Sequence, residues 1–230
     1  MCHHYIAGRT RTAAGRAVSH HWDDEFSLRS NHYQLELPTA GFYPLDVVPL
    51  VRLDDAGERT LLPAQWGFLP NWWRPTDKTP KRATFQRKCF NARSEEVHAK
   101  PTYRQAFGRR RCLLPGFEFF EKGHYFHLAD DRPFAFAGLW EEWRGANGEV
   151  VTSCTMLTTE PNALVAGIGH HRMPVILHSA VAYEAWLDPE IVEREPLEDL
   201  MRPTPASIWE CRAATKQSPM GDRPKEPRLF

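Results

Sequence analysis

The sequence has no excess of charge of either sign: 29 Lys and Arg balance 29 Asp and Glu over 230 residues. With 42% apolar and 25% charged residues, it is neither a highly charged histone-like chain nor a wholly disordered one. It has no apolar run near the roughly 18 residues of a membrane span; the longest lies near Pro133–Trp140. The opening stretch, MCHHYIAGRTRTAAGRAV, lacks a continuous apolar segment, so a signal peptide is not expected. Five cysteines (Cys2, Cys89, Cys112, Cys154 and Cys211) form no CxxC pair and no even, regular set. Neither a structural zinc site nor a disulfide framework is signalled, and a reducing, cytoplasmic compartment is the expectation. Glycine is scarcer than proline, 14 against 19, which excludes collagen and argues against a long helical bundle. There are no internal repeats and no low-complexity linker.

Charge balance does not hold locally. Between Arg74 and Arg111 there are 12 Lys and Arg against 3 Asp and Glu, a net of +9, so the remaining residues carry −9. Trp66, Phe68, Trp72, Trp73, Phe85 and Phe90 lie among or beside these charges. Cations that track phosphates, next to rings that stack on bases, suit single-stranded nucleic acid. A solvated basic surface over ordinary core aromatics is the structural alternative.

The pattern predicts an α+β fold: one mainly antiparallel β domain over 1–201, then a Pro-rich tail over 202–230. A short helix is expected after Trp22. Strands are expected at the end of Gly41–Leu53 and over Thr60–Phe68, Arg111–Pro115, His124–Ala129, Arg132–Trp143, Glu149–Thr158 and Arg172–Leu177. Gly145-Ala146-Asn147-Gly148 reads as a hairpin turn. Asn71–Arg82 reads as a loop, and Asn91–Gln105 as a loop leading into a short helix. Pro161–Ile168 and Ser179–Leu187 read as helices, the second capped by Ser179. The last 29 residues hold five prolines and read as an extended tail.

Cys2 follows the initiator methionine, and its small side chain favours removal of Met1 by an aminopeptidase. The mature chain would then begin with an α-amine and a thiol on neighbouring carbons. Their ordinary pKa values, about 7.7–8.0 and about 8.5, leave both partly nucleophilic near neutrality. An aldehyde condenses with such an amine to an imine, and the thiol then closes a five-membered thiazolidine. No internal cysteine can do this.

Further segments follow in a fixed order: Trp66-Gly67-Phe68-Leu69-Pro70-Asn71-Trp72-Trp73, Phe90-Asn91-Ala92-Arg93, Arg111-Cys112-Leu113-Leu114-Pro115 leading to Phe119-Phe120-Glu121, and His170-His171-Arg172-Met173-Pro174. With the Met-Cys start, this order and spacing resembles the SRAP family, the SOS-response-associated peptidases that crosslink to abasic sites in DNA. The resemblance spans residues 1 to about 178. It implies twisted, barrel-like sheets with short flanking helices, and a sensor that binds single-stranded DNA and traps abasic sites covalently. A thiol-dependent, lyase-like enzyme with a peptidase label is implied; no cofactor, metal or membrane partner is expected, and a monomer is the simplest expectation.

Carried over residue by residue, Cys2 matches the attachment point and Asn91 the residue that holds the Cys2 backbone or amine. Glu121 matches the acid–base carboxylate, with Glu118 as the alternative if a two-residue gap is placed after Pro115. His170 matches the histidine that assists opening of the sugar ring, with His171 one residue away. Arg93 matches a phosphate-binding arginine, and Trp72 and Trp73 match paired tryptophans beside the DNA path. Arg82, in the same basic segment, is placed on the DNA side. The chain departs from the family after Cys2, where His3-His4 replaces a pair ending in arginine, so His4 is the candidate substitute for that phosphate contact. It departs again where Phe117-Glu118 replaces an aspartate-glycine step and where Lys122 replaces a tryptophan. Three rival classes remain open. One is an N-terminal-nucleophile amidohydrolase using the Cys2 thiol with its own amine as base. The second is a non-catalytic nucleic-acid-binding module. The third is a metal site of Cys2, His3, His4, His20 and His21, which no regular spacing supports.

Overall fold

Five strands of the computed structural model, which describes residues 2–8, 10, 11, 17, 18, 22–28, 36, 37 and 41–215, close on one another. Val47–Leu53 pairs antiparallel with Arg59–Trp66 on one side and with Arg111–Gly116 on the other. Arg111–Gly116 pairs with Phe134–Arg144, which in turn pairs with Val150–Thr159. Val150–Thr159 then returns to Arg59–Trp66 in parallel, through Ser153–Gln65 and Cys154–Trp66. The ring is a small barrel, which removes the open edges of a sheet. Asn91–Arg93 adds in parallel beside Val150–Thr159, with Asn91 opposite Met156. Met173–Pro174 and Ile176–Leu177 extend the same sheet.

A second sheet of four strands lies against the barrel in the order Tyr5–Ile6, Glu118–Glu121, His124–Leu128, Trp209–Ala213. A further small ladder joins Thr10–Arg11, Ala17–Val18 and Glu36–Leu37. Helices are short and peripheral: Trp22–Glu25, Arg82–Gln86, Arg104–Arg109, Ala163–Gly167 and Ala180–Leu187. Among the described residues no helix is long and apolar enough to cross a membrane.

Aromatic rings join the two sheets. Tyr5 sits 5.3 Å from Phe42, 5.3 Å from Trp66 and 5.0 Å from Phe136, centroid to centroid. Trp209 sits 5.3 Å from Phe119 and 5.4 Å from Phe134, both edge to face. Such tilted and edge-on pairs add to the area they bury. Phe134–Arg144 reads almost continuously apolar at its start because that end is buried on both faces.

The mainly antiparallel α+β expectation holds, as does the Ser179 cap, whose Oγ accepts the Ala182 amide at 3.2 Å. Two local expectations are corrected, and one helix falls where no element was expected. Asn91–Arg93 is a strand, and the helix after it starts only at Arg104. The basic segment holds a helix, Arg82–Gln86, that its lack of a capping side chain concealed. Trp209–Ala213, expected in an extended tail, pairs along its whole length with His124–Leu128. The sheet thus continues past the boundary placed at residue 201; residues 216–230 lie outside the described part.

Trp209 is the keystone of that last strand, buried on two phenylalanines with its indole N–H donated to Thr204 Oγ1 at 2.9 Å. Trp209→Ala is expected to destabilise the fold by about 3–5 kcal/mol, measured by chemical denaturation.

Candidate functional site

The amino-terminal segment is threaded between two strands' worth of backbone. Tyr5 and Ile6 lie opposite Phe119 and Glu118 in antiparallel register. The Phe117 amide donates to the Ile6 carbonyl at 2.8 Å and the Phe120 amide to the His4 carbonyl at 3.0 Å. On the other side Tyr5 and Phe42 exchange backbone bonds of 3.3 and 2.8 Å. Gly41 makes this approach possible: at φ +76°, an added Cβ would lie 2.4 Å from the Tyr5 carbonyl oxygen. The Asn91 amide nitrogen then donates to the Cys2 carbonyl at 2.7 Å. The Asn91 Oδ1 is buried with no partner among the described residues. Cys2 is fully buried, its Sγ 3.5 Å from the His4 carbonyl.

Alternation along Glu118–Glu121 separates its two acids. Glu118 points to Arg212, with contacts of 2.6 and 3.3 Å, and Arg212 lies over the Tyr125 ring at 4.5 Å. Glu121 is nearly fully buried and meets His170 Nε2 at 2.7 Å. Between the two candidate acids, geometry brings Glu121 to the histidine and commits Glu118 to an arginine. Between the two histidines, His170 reaches inward and His171 is exposed.

The end of the Ala163–Gly167 helix sets the position of His170. Gly169, at φ +73°, donates its amide to Ala166 at 2.8 Å, and the His170 amide donates to Val165 at 3.3 Å. These two bonds form a Schellman motif, which turns the chain sharply and delivers the next residue to a fixed place. The Arg172 amide donates to His170 Nδ1 at 3.2 Å. A neutral imidazole that accepts at Nδ1 carries its proton on Nε2, so that nitrogen donates to a Glu121 carboxyl oxygen.

Burial decides the protonation of the pair. It pushes the Glu121 carboxyl up to about 7, with the positive charge of the amino terminus pulling the other way. It also lowers His170, helped by the amino-terminal charge and by Lys122 and His171. Both directions favour a neutral carboxyl hydrogen-bonded to a neutral imidazole over an ion pair. Burial raises the Cys2 thiol well above its ordinary value, and the nearby Glu121 charge adds to it. The folded-state Glu121 lies above its unfolded value, so its contribution to stability is full under acid conditions. It is lost as pH rises through about 7.

The DNA-side candidates scatter. Arg93 is exposed at the end of its strand. Trp72 is 52% exposed, edge-on to Phe85. Trp73 is interior, packed on Trp143 with centroids 5.8 Å apart, so of the tryptophan pair only Trp72 presents a face for stacking. Arg82 is paired with Glu149. His4 is fully buried, stacked on Tyr43 at 4.5 Å and flanked by Phe120 and Tyr125. Its expected phosphate contact is corrected: the ring packs inside the fold. Arg111, counted in the basic segment, is also interior and donates to the Phe107, Trp186 and Asp188 carbonyls. His20 and His21 lie outside the described residues, and among those described no three His, Cys, Asp or Glu form a metal-binding group. Tyr43, the Arg172 amide and the Arg212–Glu118 pair carry no local sequence signal, because each depends on a partner or a turn that only the fold supplies.

A buried cysteine at position 2, close to a hydrogen-bonded carboxyl–imidazole pair on a closed β-barrel, is the arrangement that the fold presents. The chain matches the model of the SOS response associated peptidase (SRAP) family over residues 1–217. It belongs to that family. It is 31% identical over 205 residues to the abasic site processing protein YoqW of Bacillus subtilis, covering 82% of this chain and 88% of that one. It is 30% identical over 178 residues to the chicken (Gallus gallus) abasic site processing protein HMCES, covering 65% of this chain and 51% of that one. Among solved structures, a Bordetella bronchiseptica protein superposes with a TM-score of 0.72 at 27% identity, covering 93% of this chain and 100% of that one. A Bacteroides thetaiotaomicron protein superposes with a TM-score of 0.77 at 22% identity, covering 95% and 96%, which speaks for the fold.

The seating of the amino terminus against Gly41 is open to direct test. Gly41→Ala is expected to cost more than about 1 kcal/mol, because the side chain demands both a strained φ and the space of the Tyr5 carbonyl. Thermal unfolding together with hydrogen exchange at the Phe42 amide checks this; wild-type protection at Phe42 would count against it.

Proposed function

We propose that the protein captures abasic sites in single-stranded DNA as a covalent thiazolidine on Cys2. The observation that carries the reading is the convergence of Cys2, Asn91, Glu121 and His170, from four distant segments, on one buried site. Relatives in bacteria and vertebrates are named abasic site processing proteins, and the chemistry of this site suits that substrate. Removal of Met1 frees the Cys2 amine and is assigned to a cellular aminopeptidase. The protein then acts as a monomer in the cytoplasm.

The abasic sugar is mostly a closed hemiacetal. The Glu121–His170 pair gives the carboxyl proton to the ring oxygen while it takes up the proton of the hemiacetal hydroxyl, so the aldehyde opens and the pair is left neutral. Asn91 holds the Cys2 carbonyl, and its unpartnered Oδ1 accepts from the amine, which steers the nitrogen lone pair to the aldehyde carbon. The resulting carbinolamine loses its hydroxyl as water, protonated by Glu121, and leaves an imine. The thiol sulfur then adds to the imine carbon while the thiol proton passes to the imine nitrogen, closing the ring. The amine acts first because burial keeps the thiol protonated. Arg93, Trp72 and the exposed cations of the basic segment hold the strand by phosphate contact and stacking. The same thiol, disfavoured as a thiolate by burial, is poorly suited to direct attack on an amide, which counts against the amidohydrolase reading.

Incubation with a single-stranded oligonucleotide carrying one abasic site is expected to give a denaturation-stable adduct. Cys2→Ala abolishes it and Cys89→Ala leaves it; an adduct that survives Cys2→Ala contradicts the reading. The rate should also report on Glu121. Its carboxyl keeps the proton up to about 7, so the dehydration step slows as pH rises beyond that value. Glu121→Gln is expected to lower the rate about 10²–10⁴-fold and to erase that alkaline limb in the pH–rate profile.

A further inference from the structure

Glu121 and His170 are carried by two different turns, and a second tie joins the same two turns one residue further along. Glu121 ends a strand and His124 begins the next, paired opposite it. Lys122 and Gly123 between them have φ of 43° and 81°. This is a two-residue hairpin turn of the type in which both central residues are left-handed, normally the place of Asn-Gly or Gly-Gly. Lysine is an unfavourable choice there. Its backbone strain has no return in the turn itself. The ammonium group, however, reaches across and donates to the Gly169 carbonyl. Gly169 is the left-handed residue of the Schellman motif that delivers His170, and a Cβ there would lie 3.4 Å from the Lys122 Nζ.

We propose that Lys122 is a positioning residue of the site: its ammonium ties the hairpin carrying Glu121 to the turn carrying His170 and fixes the geometry in which those two side chains hydrogen-bond to each other. The two contacts, Glu121–His170 and Lys122–Gly169, run in parallel between neighbouring residues on each side. The charge acts in the same sense. His170 faces Glu121 and Lys122 from the hairpin, His171 from its own turn and the positive charge of the amino terminus. A lysine ammonium in that set disfavours the imidazolium and keeps the imidazole neutral in that hydrogen bond. Position 122 therefore sets how readily the pair gives up its proton.

The kinetic arm of the test rests on the reading that the site captures abasic sites; the spectroscopic arm does not. Lys122→Asn is the informative variant, because with Gly123 it makes the most favoured pair for this turn and removes only the ammonium. Its melting temperature should equal or exceed the wild type. Titration of the His170 ring by NMR is expected to move upward by roughly 0.3–1 pH unit in Lys122→Asn and to return in Lys122→Arg. Adduct formation on abasic single-stranded DNA is expected to slow about fivefold or more at saturation, with an unchanged half-saturating DNA concentration, and Lys122→Arg should restore it. An unmoved His170 titration with an unaltered rate overturns the proposal. So does a loss confined to the half-saturating concentration, which would make Lys122 a phosphate contact. If the wild type forms no adduct, the functional reading fails while the His170 titration still judges the tie.

Discussion

The site depends on one backbone ladder. Tyr5–Ile6 pairs with Glu118–Phe119, and this short pairing converts the amino terminus, usually the loosest part of a chain, into a buried edge strand. Once Tyr5 is locked among Phe42, Trp66 and Phe136, the three residues before it have nowhere to go but along the strand that ends in Glu121. Gly41 and Asn91 close the seat from the other side. The remaining sheet serves this placement. Trp209–Ala213, near the far end of the described chain, braces the strand His124–Leu128, which braces Glu118–Glu121. The two ends of the described chain therefore meet in one sheet.

Burial then assigns the chemistry. In water, Glu121 and His170 would each ionise readily; inside the fold, desolvation penalises both charged forms and leaves a neutral carboxyl against a neutral imidazole. In the proposed reaction that state supplies the proton for a sugar oxygen and for a departing hydroxyl. The same desolvation suppresses the Cys2 thiolate, and in the proposed reaction the amine is therefore the first nucleophile. Fixed donors at Arg172 and Asn91 orient the groups without adding charge.

Much of this was legible in the sequence, for physical reasons. The long central strands announced themselves through continuous apolar runs bounded by glycine turns, and the chemistry of a cysteine at position 2 follows from its neighbouring amine. Glu121 and His170 follow from the resemblance to the SRAP family, and alternation along the strand explains why Glu118 faces away to Arg212. What stayed hidden depended on distant partners. Trp209–Ala213 has too little periodicity in a proline-rich stretch to read as a strand; only its partner His124–Leu128 makes it one. His4 and Arg111 looked like surface cations because charge alone does not say which way a side chain points. The local +9 overstated the basic surface for the same reason: Arg111 is interior, and Arg82 and Arg110 are engaged by Glu149 and Glu141.

The central claim is that the chain's first two nucleophilic atoms act together on one aldehyde carbon. Tandem mass spectrometry of the nuclease-trimmed, protease-digested adduct tests it most directly. The account predicts a peptide that begins at Cys2 and carries the sugar aldehyde less one water. Its sulfur should resist alkylation and its mass should not change on borohydride treatment. A sugar found on a lysine or another cysteine, or on a peptide that still begins with Met1, would contradict it.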